Sequence, residues 1–305
     1  MRFFHPSCHF MYNLNMIRLN TVTKRYYDFT AVDALSLEVD EGEIVGIIGH
    51  NGAGKSTTLK MIAGLVEPTS GTIQVMGHDI QKESVQVKKQ IGYLPEESPL
   101  YENMTARQYL LFFSELYQMK RSEAQTRIDL LLDSLHLPEK DKMTGEFSKG
   151  MKRKTAIARA LLHDPRLLIL DEPNSGLDPL TSFFIINYLK TLRSQGKTIL
   201  LSAHNLFHVE YICDRVMIIK NGKMVIFDNM EAIRGSLGRR EYQVVFKTEE
   251  HLDYERHDGN YIFRTHEIAQ IARTLEEISE HNWALVDLSV KESALEEIYV
   301  KLMSN

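Results

Sequence analysis

GHNGAGKST, residues 49–57, lies between a continuous apolar run, EIVGII at 43–48, and a segment whose Leu59, Ile62 and Ala63 recur at helical spacing. It contains G-x-x-x-x-G-K-S from Gly49 to Ser56, and a preceding strand with a following helix is the setting in which that pattern cradles phosphate. Gly49, Gly52 and Gly54 let the backbone of the loop, including His50, Asn51 and Ala53, turn its N–H groups inward, and the helix N-terminus adds partial positive charge. Lys55 is expected to reach the outer phosphates, Ser56 to ligate Mg²⁺ through its hydroxyl, and Thr57 to donate to an inner phosphate. The motif by itself leaves many nucleoside-triphosphatase classes open.

A second motif, LLILDEP at 167–173, is an apolar strand that ends in two acids. Open parallel sheets bind ligands at the carboxyl ends of their strands, which suits Asp171 as a Mg²⁺ ligand through water. Strand alternation points Glu172 the other way, toward a role in orienting or deprotonating an attacking water.

Around these motifs the chain alternates in pattern. After Met16 it reads as short strands to about residue 70, including the alternating LSLEV at 35–39. Residues 97–150 read as a mostly helical insertion, with Leu110, Phe113, Leu116 and Tyr117 on one helical face. Strand-like runs return at 167–170, 198–202, 216–219 and 224–227. Helical stretches separate the first three, the alternation of a parallel sheet with crossover helices. A boundary is expected near Gly235–Gly238: the chain carries a net charge of −6 from Ser236 onward and +1 before it. The tail reads strand (242–246), strand (261–264), helix, strand (284–290), helix, the first helix burying Ile268, Ile271, Ala272, Leu275 and Ile278. Residues 1–15 fit none of this. They are read as an unstructured leader or an alternative start, with a main domain at 16–235 and a small α+β lobe at 236–305.

Between the two phosphate-site motifs stands FSKGMKRK, residues 147–154, and here the chain resembles the ATP-binding cassette (ABC) family, whose signature is usually LSGGQ. Ser148 and Gly150 match its serine and second glycine, while Lys149 and Met151 replace glycine and glutamine. The resemblance runs from about residue 16 to 235. It implies an α/β P-loop core with an antiparallel β subdomain and a helical insertion, with ATP and Mg²⁺ bound. It puts Tyr26 where the family stacks an aromatic on adenine, with Tyr27 beside it as a second candidate. It puts Glu96 of GYLPEE at the Q-loop glutamine position, near Mg²⁺ or its water, Asp178 of SGLD in the D-loop, and His204 of LLSAHN as the switch histidine on the γ-phosphate. Lys55, Ser148, Asp171 and His204 follow the family's order. The implied protein is an ATPase whose two copies close head to tail on ATP and power a separate transmembrane permease subunit from the cytoplasmic face. Export is favoured over import by the variant signature, Glu96 and the tail.

Composition bounds the alternatives. With 43% apolar and 25% charged residues the chain is an ordinary globular protein. Its net charge of −5 argues against a nucleic-acid partner. No run of roughly 20 apolar residues offers a membrane span. Cys8 and Cys213 alone give no disulfide framework and suit a reducing cytosol. A non-transport cassette ATPase acting on ribosomes or DNA is the competing reading. It fits less well, because the chain carries one set of motifs and only 115 residues separate Lys55 from Asp171, without a long heptad run.

Overall fold

A computed structural model describes residues 15–137, 142–238 and 240–304. The stretch read as a leader lies outside the described residues except for Asn15. The chain divides into two compact units, one up to Asp228 and one from Asn229.

In chain order the first unit holds β1 (Ile17–Tyr26), β2 (Phe29–Val39), β3 (Ile44–Ile48), α1 (Lys55–Ile62), β4 (Ser70–Val75), β5 (His78–Asp79), α2 (Ser84–Lys88) and β6 (Ile91–Leu94). It continues with α3 (Ala106–Leu116), α4 (Arg121–Ser134), α5 (Lys149–Leu161), β7 (Leu167–Asp171), α6 (Pro179–Ser194), β8 (Thr198–Ser202), α7 (Leu206–Ile212), β9 (Arg215–Lys220) and β10 (Lys223–Asn229). Two sheets form. One is antiparallel in the order β2-β1-β4-β5; the other runs β10-β9-β3-β8-β7-β6, with β9, β3, β8, β7 and β6 mutually parallel. Strands β3, β7 and β8 are buried at every residue, which is why they read as unbroken apolar runs and not as alternation. One apolar cluster joins the layers: Leu19, Leu37 and Ile73 of the antiparallel sheet pack with Leu59 and Ile62 of α1 and with Val45 and Ile47 of β3. The core therefore holds the loop after β3 from both sides.

The segment expected to be helical supplies α3, α4 and the start of α5. Helix α3 opens on a capping box, in which Thr105 Oγ1 accepts from the Gln108 amide and Gln108 Oε1 accepts from the Thr105 amide.

The second unit comprises α8 (Met230–Leu237), β11 (Arg240–Lys247), β12 (Glu255–His257), β13 (Asn260–Thr265), α9 (Ile268–Glu280), β14 (Ala284–Glu292) and α10 (Leu295–Ser304). Its sheet has the order β12-β13-β11-β14. The unit begins earlier than the charge shift suggested, because α8 belongs to it: the Lys301 ammonium of α10 donates to the Leu237 carbonyl. Val244, Phe246, Tyr261, Ile271 and Ile278 form its core, with Trp283 stacked on Phe246. One expectation is corrected here. Ile268 and Ala272 are exposed, and the buried stripe of α9 runs Ile271, Thr274, Ile278 with Leu275 beside it. Ile268 is the first residue of the helix and is 69% exposed.

Candidate functional site

The phosphate loop leaves β3 at Ile48 and enters α1 at Lys55. Gly54 has φ +109°, and a Cβ there would meet the Ala31 carbonyl oxygen at 2.4 Å, so only glycine serves. No side chain caps α1, which leaves the first-turn amides to a ligand. A cleft of about 460 Å³ opens over the loop, lined by Tyr26, Phe29, Ala31, Asn51, Gly52, Ala53, Gly54, Lys55, Ser56, Thr57, Glu96, Glu172 and His204. Gly49 and His50 lie just behind that lining. Their carbonyls accept from Lys55 Nζ at 2.7 and 3.2 Å.

Asp171 closes the floor. Its Oδ1 accepts from Ser56 Oγ at 3.1 Å and from Ser202 Oγ at 2.6 Å. A hydroxyl and a buried carboxylate side by side at a phosphate loop fit Mg²⁺, a hard cation that takes oxygen ligands and keeps waters. Glu172 follows Asp171 but does not continue the pleat. Its φ of +51° is left-handed, a costly conformation for a residue with a Cβ. This turn, and not strand alternation, brings its carboxylate to the cleft. Glu172 Oε1 meets His204 Nε2 at 2.7 Å. Burial, with Glu96 and Asp171 adding to it, pushes the Glu172 carboxyl up to about 7. Burial and then the Lys55 ammonium push His204 down. Both partners are thereby shifted toward their neutral forms. Burial also lowers Lys55, against the pull of Glu172, Asp171 and Glu96.

Tyr26 lines the cleft, whereas Tyr27 is fully solvent-exposed on a left-handed backbone. Phe29, which the sequence did not single out, joins Tyr26 there.

Ser148, Gly150 and Asp178 stand outside the cleft lining. The helix after the signature begins at Lys149, ahead of Gly150, with Ser148 as its N-cap: the Ser148 hydroxyl accepts from the Met151 amide. Asp178 caps α6 by accepting from the Thr181 amide, which holds its carboxyl below the ordinary range. Lys149, one of the two departures from the usual signature, lies over Gly176 of SGLD. A Cβ on Gly176 would come within 2.1 Å of its ammonium.

Two further residues hold the site, and the sequence did not point to them. Ser202 accepts from the Glu172 amide at 3.0 Å while donating to Asp171. Arg153 is buried on α5 and donates to five carbonyls: Pro95 and Glu96 at 2.9 Å, Pro173 and Asp171 at 2.8 Å, and Glu172. Burial lowers its guanidinium to about 10, with Asp171, Glu96 and Glu172 opposing. Nothing in FSKGMKRK distinguishes Arg153 from its basic neighbours.

A phosphate-cradling loop at the carboxyl end of an interior strand of a parallel sheet, with a hydroxyl–carboxylate pair and a glutamate–histidine pair beside it, defines a P-loop ATPase. The model of the ABC transporter family matches residues 32–175. The ABC transporter ATP-binding protein NatA of Bacillus subtilis is 39% identical over 76% of this chain and 96% of its own length. The linearmycin resistance ATP-binding protein LnrL of the same organism is 34% identical over 94% and 98%. The solved dimeric structure of an ATP-binding cassette in a post-hydrolysis state with ADP and Pi has a TM-score of 0.65 and 28% identity. The match covers 70% of this chain and 99% of that one. The chain belongs to the ABC transporter family and is an ATP-binding, ATP-hydrolysing subunit. Nothing in these comparisons points to the non-transport alternative. Among the described residues no helix is long and apolar enough to cross a membrane.

Proposed function

We propose that two copies of this chain close head to tail on ATP and thereby power export through a separate transmembrane subunit, from a peripheral position on the cytoplasmic face. One observation carries the reading. Lys55, Ser56, Glu172 and His204 face one cleft, whereas the exposed Ser148 and the half-buried Gly150 lie outside its lining. A γ-phosphate held by one copy is then free to meet the Ser148–Gly150 turn of another, which makes nucleotide part of the contact. ATP therefore favours the closed pair over the open one, and that difference biases a membrane partner between two states.

Within the cleft Tyr26 stacks on the base, the 49–57 loop binds the phosphates, and Lys55 reaches the outer ones. Ser56 and Asp171 would hold Mg²⁺ with Glu96 nearby; when bound, the ion neutralises charge on the outer phosphates. Glu172 orients and deprotonates water, and His204 stabilises charge on the γ-phosphate. Glu97 and Tyr101, which follow the Q-loop, are the positions for contact with the membrane subunit, Tyr101 being 50% exposed. Export is supported by LnrL, a resistance protein that matches this chain through both units.

The experiment is Glu172→Gln. ATP binding should persist while steady-state turnover falls by about 10²–10⁴-fold, and a nucleotide-trapped dimer should accumulate. Ordinary turnover by a monomer would overturn the reading.

A further inference from the structure

Strand β14 is an edge strand: it pairs with β11 on one side and, among the described residues, with no strand on the other. It is nine residues long, ALVDLSVKE, and every one of them is exposed. Leu285, Val286, Leu288 and Val290 are each about half exposed, at 49, 54, 47 and 53%. Leu288 lies opposite the buried Val244 and Val290 opposite Tyr242, so both stand on the sheet face that carries the core, beyond its cover. A long edge of this kind, without proline and with a single lysine, is a template for another strand. Solvent is a poor partner for its apolar row.

We propose that β14 of a second copy of this chain covers that edge, joining two four-stranded sheets into one across a twofold axis. The sequence of the strand chooses the register. With Ser289 on the axis, antiparallel pairing sets Leu288 against the other copy's Val290 on the apolar face. On the opposite face it sets Asp287 against the other copy's Lys291, and the twofold repeats both pairs. Neither Asp287 nor Lys291 makes an ion pair within the chain, among the described residues. This contact needs no nucleotide and is independent of the ATP-mediated closure proposed above. It would keep two copies associated while their nucleotide sites part, so that each closure is a re-encounter between tethered partners.

The test is the molar mass of the nucleotide-free full chain by light scattering, with three variants. Wild type should be a dimer. Asp287→Lys sets like charges across the axis and should raise the dissociation constant about tenfold or more. The double change Asp287→Lys with Lys291→Asp exchanges the partners and should restore the dimer. Ser289→Cys, with Cys8 replaced by serine, should crosslink to itself under mild oxidation. These positions are exposed, and unchanged Trp283 fluorescence would verify the fold of each variant. A wild-type chain that is monomeric without nucleotide and pairs only with ATP would overturn the edge contact and leave the ATP reading intact. So would a dimer indifferent to Asp287→Lys.

Discussion

At the scale of the residue, Glu172 combines burial, a left-handed backbone and an acidic neighbourhood. Burial and the acidic neighbours disfavour its carboxylate form, and a proton relieves both: the folded chain holds it up to about pH 7, the unfolded chain only to the ordinary 4.5. A raised carboxyl stabilises the fold below the lower value and loses that contribution as pH rises through the higher one. A lift of this size corresponds to about 3 kcal/mol. Glu172→Gln should therefore raise the melting temperature of the nucleotide-free chain at pH 8, and the gain should shrink toward zero at pH 4.5. Thermal denaturation at the two pH values reads this directly. Arg153 is the complementary case. It touches the cleft only through other backbones, so it is a positioning residue. Arg153→Lys cannot reach five carbonyls at once; it should lower stability by about 3 kcal/mol and cut kcat more than it raises KM for ATP. Equal changes in the two constants, or no change, would remove Arg153 from that role.

At the scale of the element, two helices begin in opposite ways. Helix α1 starts without a side-chain cap, as a phosphate cradle requires. Helix α3 starts with a full box, Thr105 with Gln108, and so carries no free first-turn role. Thr105→Ala should cost about 1 kcal/mol of local stability. Hydrogen exchange of the first amides of α3 is the measurement, and α1 should serve as the unaffected control.

At the scale of the molecule, the two units have separate cores, and one tryptophan reports on only one of them. Trp283 stacks 5.2 Å from Phe246 in the second unit, and the chain has no other tryptophan. Far-UV circular dichroism is dominated by the larger first unit. The two probes should therefore give urea midpoints that do not coincide, with fluorescence changing first because the core cluster of its unit is small, only five buried residues. Coincident midpoints would show that the units unfold together.

What was legible in the amino-acid order is what neighbours along the chain determine. The phosphate loop is nine consecutive residues between a strand and a helix, and the acids at 171 and 172 end one apolar run, so periodicity and glycine chemistry were enough. Elements marked by apolar repetition or by an unbroken apolar run, such as α3 and β7, were legible for the same reason, though not which residues of a stripe are covered, as the exposed Leu116, Ile268 and Ala272 show. The order of the sheet decided the rest. It brings Ser56 to Asp171 across 115 positions and Ser202 to Asp171 across 31. It aims Arg153 at the carbonyls of two separate loops and turns Tyr26, not Tyr27, to the cleft. Contacts of that reach depend on which strands lie side by side and on how a backbone leaves them. Local pattern carries neither, because its range is a turn of helix or a pair of strand residues.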